Sequence, residues 1–224
     1  MTFSSLMPPD ISLFCQRCSE YLSSTVEDGA RIEFIRSELP HLLLNQSLFA
    51  KVLHNMVEGE KYPDLQHSTM FDNELLLYAD RSRLFSLRLF LWAPGEYTPV
   101  HDHNSWGVIG PVSGELEVFN YSREDAGSRE GYARLVEIER LRLLPGETAF
   151  TLPLNKGIHK TGNPTQETIL SLSLYGNPLP RGYINGFDIA TCSIYQILAP
   201  KMKKTQLAIQ ALHSLMNSKR GGQT

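Results

Sequence analysis

The period of the hydrophobic pattern changes near residue 75, and that change constrains the fold more than any other feature of the chain. Before it, "ISLFCQRCSEYLSS" spaces Leu13, Phe14, Cys18, Tyr21 and Leu22 along one helical stripe. "QSLFAKVLHNMVEG" does the same with Leu48, Val52, Leu53 and Met56. After it, "RLFSLRLFLW" sets Leu87, Leu89 and Leu91 against Ser86, Arg88 and Phe90, a period of two that belongs to a strand. Further short strand-like runs follow: "WGVIGPV", "GELEVFNY", "ARLVEIERLRLL", "ETAFTLP" and "ETILSLSLY", with Pro-Gly at 94–95 and 145–146 marking turns. Many short strands at this spacing predict an all-β sandwich or barrel of the jelly-roll kind. The helical period returns in "TQLAIQALHSLMNSK", which places Leu207, Ala211, Leu212 and Leu215 on one face. The expected organisation is a helical segment over residues 1–70, a barrel over 71–200, and a C-terminal helix with a frayed tail over 201–224.

A chain of 224 residues can bury the core of one sizeable domain. Its net charge of −3 argues against a nucleic acid or an anionic membrane as partner. No apolar run approaches the roughly 18 residues that cross a bilayer, and "MTFSSLMPPD" lacks the basic and apolar stretches of an export signal. Cys15 and Cys18 form a C-x-x-C, but a zinc site needs about two more soft ligands and only Cys192 remains. The pair reads as neighbours on a helix, and the expected compartment is reducing and cytoplasmic. His41, His54, His67 and His213 are scattered through helices and loops and carry no expected role.

The stretch "TPVHDHNSW" puts His101 and His103 at i and i+2 of an expected strand, so both side chains point to one face. Two imidazoles so placed can chelate one ion, or can form a polar surface patch. Gly95 and Gly114 bracket the pair, and Gly146, Pro153, Gly157, His159 and Asn163 follow in order downstream. This arrangement resembles the two motifs of the cupin superfamily, with slightly longer gaps in the second. The resemblance covers roughly residues 75–185 and implies a double-stranded β-helix in which His101, His103 and His159 meet at one metal.

Most metal cupins place a glutamate four residues after the second histidine, and Gly107 stands there in this chain. Three histidines without that glutamate resemble the thiol dioxygenase branch, which includes cysteine dioxygenase and 3-mercaptopropionate dioxygenase. That branch uses Fe(II) and O₂ to turn a small thiol into its sulfinate. It carries S-x-H-x-Y beside the iron, and here Ser171 and Tyr175 match while Ser173 replaces the central histidine. The resemblance implies that Tyr175 is a neutral donor, with Ser171 and Ser173 beside it. No cysteine occupies the position that crosslinks to the tyrosine in the animal enzymes, where Gly107 or Val108 stands, so no crosslink is expected. Glu74 falls near the family's carboxylate-binding arginine, and Arg88 or Arg181 could substitute. Trp106 is expected to wall the cavity. The implied partners are a small thiol and O₂, and the chain is expected to be a monomer or homodimer. Rival readings are a three-histidine cupin that cleaves a carbon–carbon bond in a diketone, and a cupin that binds a metal or small molecule without turnover.

Overall fold

The structure is a computed structural model and describes residues 6–220. Three helices come first: α1 (Pro9–Ser24), α2 (Asp28–Leu43) and α3 (Gln46–Val57). Pro9 starts α1 where a missing N–H costs nothing, and Asn45 caps α3 by accepting the Leu48 N–H at 3.2 Å. The strands follow as β1 (Glu74–Ala79), β2 (Phe85–Trp92), β3 (Val100–His101), β4 (Gly107–Pro111), β5 (Leu116–Arg123) and β6 (Leu135–Leu143). They continue as β7 (Ala149–Thr151), β8 (Ile158–Gly162), β9 (Ile169–Gly176), β10 (Tyr183–Asp188) and β11 (Ser193–Leu198), and α4 (Pro200–Arg220) closes the described chain.

The strands form two antiparallel sheets. One has the order β1-β2-β9-β4-β7 and the other β11-β10-β3-β8-β5-β6. This is the expected mainly β jelly-roll, a double-stranded β-helix with helices added at both ends. The two Pro-Gly sites are turns of one design. In each, glycine takes a positive φ (70° at Gly95, 92° at Gly146), as the third position of a type II turn requires. In each, the glutamate that follows returns its carboxylate to the first residue's N–H, Glu96 to Ala93 at 2.8 Å and Glu147 to Leu144 at 2.7 Å.

Both faces of the first sheet are buried. Leu87, Leu89, Val108, Leu172 and Leu174 point outward into a core shared with α1–α3, whose contributions include Ile11, Phe14, Ile35, Leu39 and Phe49. Phe90, Trp92, Ile109 and Ile169 point inward with Leu116 and Val118 of the second sheet. Alternation along β2 therefore separates two cores, and the inward Phe90 and Trp92 are as apolar as the outward leucines.

One helix reading needs correction. On α1 the buried stripe is Ile11, Phe14, Cys15, Cys18 and Leu22, whereas Leu13 is 56% exposed. The residues 201–213 of α4, with Leu207 and Leu212 among them, are all exposed. The side chain of Leu215 and the chain beyond Arg220 lie outside the described residues. Cys15 and Cys18 are buried neighbours on α1, and burial pushes both thiols up, Cys18 to about 12. No helix among the described residues is long and apolar enough to cross a membrane.

The outward core holds the helices on the barrel without touching its interior. Leu172→Ala, at a fully buried site, should cost about 2–5 kcal/mol in denaturant unfolding and leave metal binding unchanged.

Candidate metal centre

His101 ends β3, a strand of only two residues, and pairs across to His159 on β8. His103 follows just beyond the strand, where its carbonyl accepts the Leu154 N–H at 2.9 Å. The second sheet thus brings the two sequence blocks together, and the three rings converge. Centroids of His101 and His103 are 4.8 Å apart, of His101 and His159 4.9 Å, and of His103 and His159 4.6 Å. The ligand nitrogens of all three lie within 4.8 Å of one another. Each ring is buried, at 2%, 7% and 3% exposure for His101, His103 and His159, which removes the surface-patch reading.

Protonation favours coordination. Burial holds His103 and His159 well below the usual histidine range, with the neighbouring rings pushing the same way. Burial also lowers His101, against the opposing pull of the Pro99 carbonyl and Asp102. Neutral imidazoles are the form that binds a metal. His101 Nδ1 lies 2.9 Å from the Pro99 carbonyl, so it donates there and leaves Nε2 as the ligand atom. Nε2 of His103 and Nε2 of His159 face each other at 2.8 Å. Two lone pairs at that separation need a proton or a cation between them. Adjacent donors on an octahedral ion, at metal–nitrogen distances of about 2.0–2.1 Å, sit about 2.9–3.0 Å apart, so the residues present fit a divalent ion.

Asp102, between the two histidines, turns away from their group. It is 1% exposed and accepts Arg181 Nη2 at 2.7 Å, the Asn185 N–H at 2.7 Å and Asn185 Nδ2 at 2.8 Å. Asn163 is likewise structural. It is fully buried and donates to the carbonyls of Ala93 and Glu167 at 3.0 and 2.6 Å, stapling two loops together.

A cavity of about 700 Å³ opens onto the rings of His101 and His103. His101, His103, Tyr175, Arg88, Glu74 and Arg181 all line it. Tyr175 pairs with Gly107 across β9 and β4, and a Cβ at Gly107 would lie 2.5 Å from the Tyr175 ring. The phenol ring therefore covers the position from which a glutamate would project. It stacks beside His103 at 5.6 Å between centroids. Ser171 and Ser173 are fully buried on the same inward face, so this strand does not face solvent. Ser171 accepts the Trp92 indole N–H at 2.9 Å, whereas Ser173 Oγ lacks a well-formed hydrogen bond. The Tyr175 hydroxyl is pushed up to about 12 by burial and then by Glu74, while the nearby Ser173 hydroxyl and Arg88 oppose the shift.

Arg88 pairs with Glu74, which is itself buried, and Arg181 pairs with Asp102. Trp106 lies in the outward core, with its indole directly behind the cavity residue Gly176. Met70 and Phe71 also line the cavity, and nothing in the sequence marks them. Their segment has no periodicity, and the Phe71 contact with His101, edge-on at 5.4 Å, exists only in the fold. His41, His54, His67 and His213 are exposed.

Fold and site together define a jelly-roll barrel with a buried three-histidine group able to hold a metal. No protein-family model matches the chain. Solved structures similar to it include cupin proteins. The Cupin_2 domain of an XRE-family transcriptional regulator from Enterobacter cloacae is 19% identical, with 47% of this chain and 96% of that one covered and a TM-score of 0.33. A cupin 2 domain-containing protein from Halorhodospira halophila is 17% identical, with coverages of 56% and 75% and a TM-score of 0.39. The DMSP lyase DddQ from Ruegeria pomeroyi DSS-3 is 19% identical, with coverages of 54% and 56% and a TM-score of 0.36. The jelly-roll assignment rests on the strand order itself.

His159 is the member of the three-histidine group that the second block contributes. His159→Ala should lose most of the metal that the unaltered protein retains through gel filtration, as measured by elemental analysis. Full occupancy in that variant would remove His159 from the site.

Proposed function

We propose that this chain is a non-heme iron dioxygenase that oxidises a small thiol of the cysteine or 3-mercaptopropionate type to its sulfinate. The observation that carries the reading is the donor set: three neutral histidines with no carboxylate, beside a half-buried phenol and an arginine that line the same cavity as His101 and His103. His101, His103 and His159 would hold Fe(II), and neutral ligands leave the ion its full charge to attract an anionic thiolate. When bound, the iron supplies the binding of thiolate and O₂ through which both oxygen atoms reach sulfur.

The chain's own residues supply the rest. The buried rings and the inward face of the first sheet exclude water from the reacting atoms. Tyr175, held protonated far above neutral pH, keeps a hydroxyl donor in the cavity. Ser173 is the polar neighbour on its strand, and Ser171 is fixed by Trp92. A cationic guanidinium, from Arg88 or Arg181, holds the carboxylate of the thiol and orients it.

Oxygen uptake by the iron-loaded protein tests the reading. Uptake should follow added 3-mercaptopropionate or cysteine. Uptake with diketones alone would favour carbon–carbon cleavage, and a metal-bearing protein inert to every candidate would favour a binding module. Removing one donor of this kind costs about 10²–10³ in rate in other enzymes, so Tyr175→Phe should lower turnover about tenfold or more with iron content intact. An unchanged rate would take the phenol out of the reaction.

A further inference from the structure

One buried carboxylate organises the cavity wall beside the histidines. Glu74, the first residue of β1, is 4% exposed and divides its two oxygens between different elements. Oε2 accepts the backbone N–H groups of Met70 and Phe71 at 3.0 and 3.1 Å. Oε1 accepts Nη1 of Arg88, which comes from β2. Arg88 Nε donates to Ser86 Oγ at 3.0 Å, and the guanidinium lies 5.9 Å from the Tyr175 ring centroid. Phe71, anchored by the same carboxylate, packs against the ring of His101. A single side chain thus ties together the arginine, the loop before β1 and the apolar wall against a metal-binding histidine.

The two cavity arginines, each held at Nε and one terminal nitrogen, differ in their partners and their exposure. Arg181 spends Nε on Asn104 Oδ1 and Nη2 on Asp102 Oδ1, both at 2.7 Å, and its guanidinium lies over Tyr183 at 5.0 Å. Its donors serve the protein's own loop. Arg88 is held by Nε and Nη1, and among the described residues Nη2 makes no hydrogen bond. Its side chain is 29% exposed, against 18% for Arg181. A guanidinium held at Nε and Nη1 with Nη2 open presents donors to an anion with little further ordering to undergo.

We propose that Glu74 is the positioning residue of an anion subsite whose contacting group is Arg88. The proposal rests on the thiol-oxidation reading for its choice of probe. Glu74 acts through Arg88: it fixes the guanidinium and the Met70–Phe71 segment in one arrangement, and touches no ligand itself. Gln at this position cannot serve both partners. It must turn its amide N–H₂ toward either the backbone N–H pair or Arg88, and one tie is lost.

The test is equilibrium binding of 3-mercaptopropionate to the iron-loaded full-length protein under argon, where no oxidation occurs. Four forms are compared: unaltered, Glu74→Gln, Arg88→Gln and the double variant. Glu74→Gln should weaken binding about tenfold or more in the unaltered background and less than about twofold in the Arg88→Gln background. Binding of 2-aminoethanethiol, which has no anionic head group, should change less than about twofold in Glu74→Gln. Equal weakening in both backgrounds, no weakening, tighter binding, or an equal loss for the amine overturns the proposal. If Glu74→Gln does not fold, Glu74→Asp takes its place with the same expected outcomes, because the shorter carboxylate keeps its charge but cannot span both partners. A protein that binds the acid with this pattern but never consumes O₂ refutes thiol oxidation and leaves the subsite standing. One that oxidises thiols without binding the acid refutes the subsite alone.

Discussion

The centre of this protein depends on the short pairing of β3 with β8, which sets His101 opposite His159. β3 has two residues, yet β10 and β8 flank it, so its position is fixed from both sides. His103 arrives immediately afterwards and completes a group in which two ring nitrogens face each other at 2.8 Å. Burial makes all three imidazoles neutral, and neutral rings can crowd together where imidazolium ions could not. The fold therefore brings the three histidines together in the protonation state that coordination needs. Little further ordering is left for a metal to impose.

Charge compensation around this group follows the same logic. The two buried carboxylates nearest the cavity, Asp102 and Glu74, are each matched by an arginine. With the histidines neutral, those pairs cancel, and an ion held by the rings would supply the cavity's net positive charge. Gly107 and Tyr175 belong to the same arrangement. The ring occupies the space that a side chain at 107 would need, so a phenol in the cavity and a carboxylate from position 107 exclude each other. Helices α1–α3 leave all of this undisturbed, because they pack on the outward face of the first sheet.

Much of this was legible in the sequence where the signal is local. The period-two run of β2, the two Pro-Gly turns and the H-x-H spacing each reflect a constraint within a few residues. The ligand set needed a match to a two-block pattern, because His159 lies on another strand. What stayed hidden depends on register. Glu74 and Arg88 meet only because β1 pairs with β2 at Glu74↔Phe90 and Leu76↔Arg88, and no spacing rule joins residues 74 and 88. The same holds for Arg88 and Ser173, which are cross-strand partners on the inward face. A residue as large as histidine at 173 would share that space with the guanidinium. On α1, periodicity identified the stripe but misplaced its edge by putting Leu13 inside. The choice between neighbouring residues there is made by where α2 and the sheet lie.

The most direct measurement is the mass of the product formed by the iron-loaded protein from 3-mercaptopropionate under isotopically heavy dioxygen. The account predicts a sulfinate in which both added oxygen atoms carry the heavy isotope. Unchanged thiol, disulfide alone, or a product whose oxygen comes from water would contradict it.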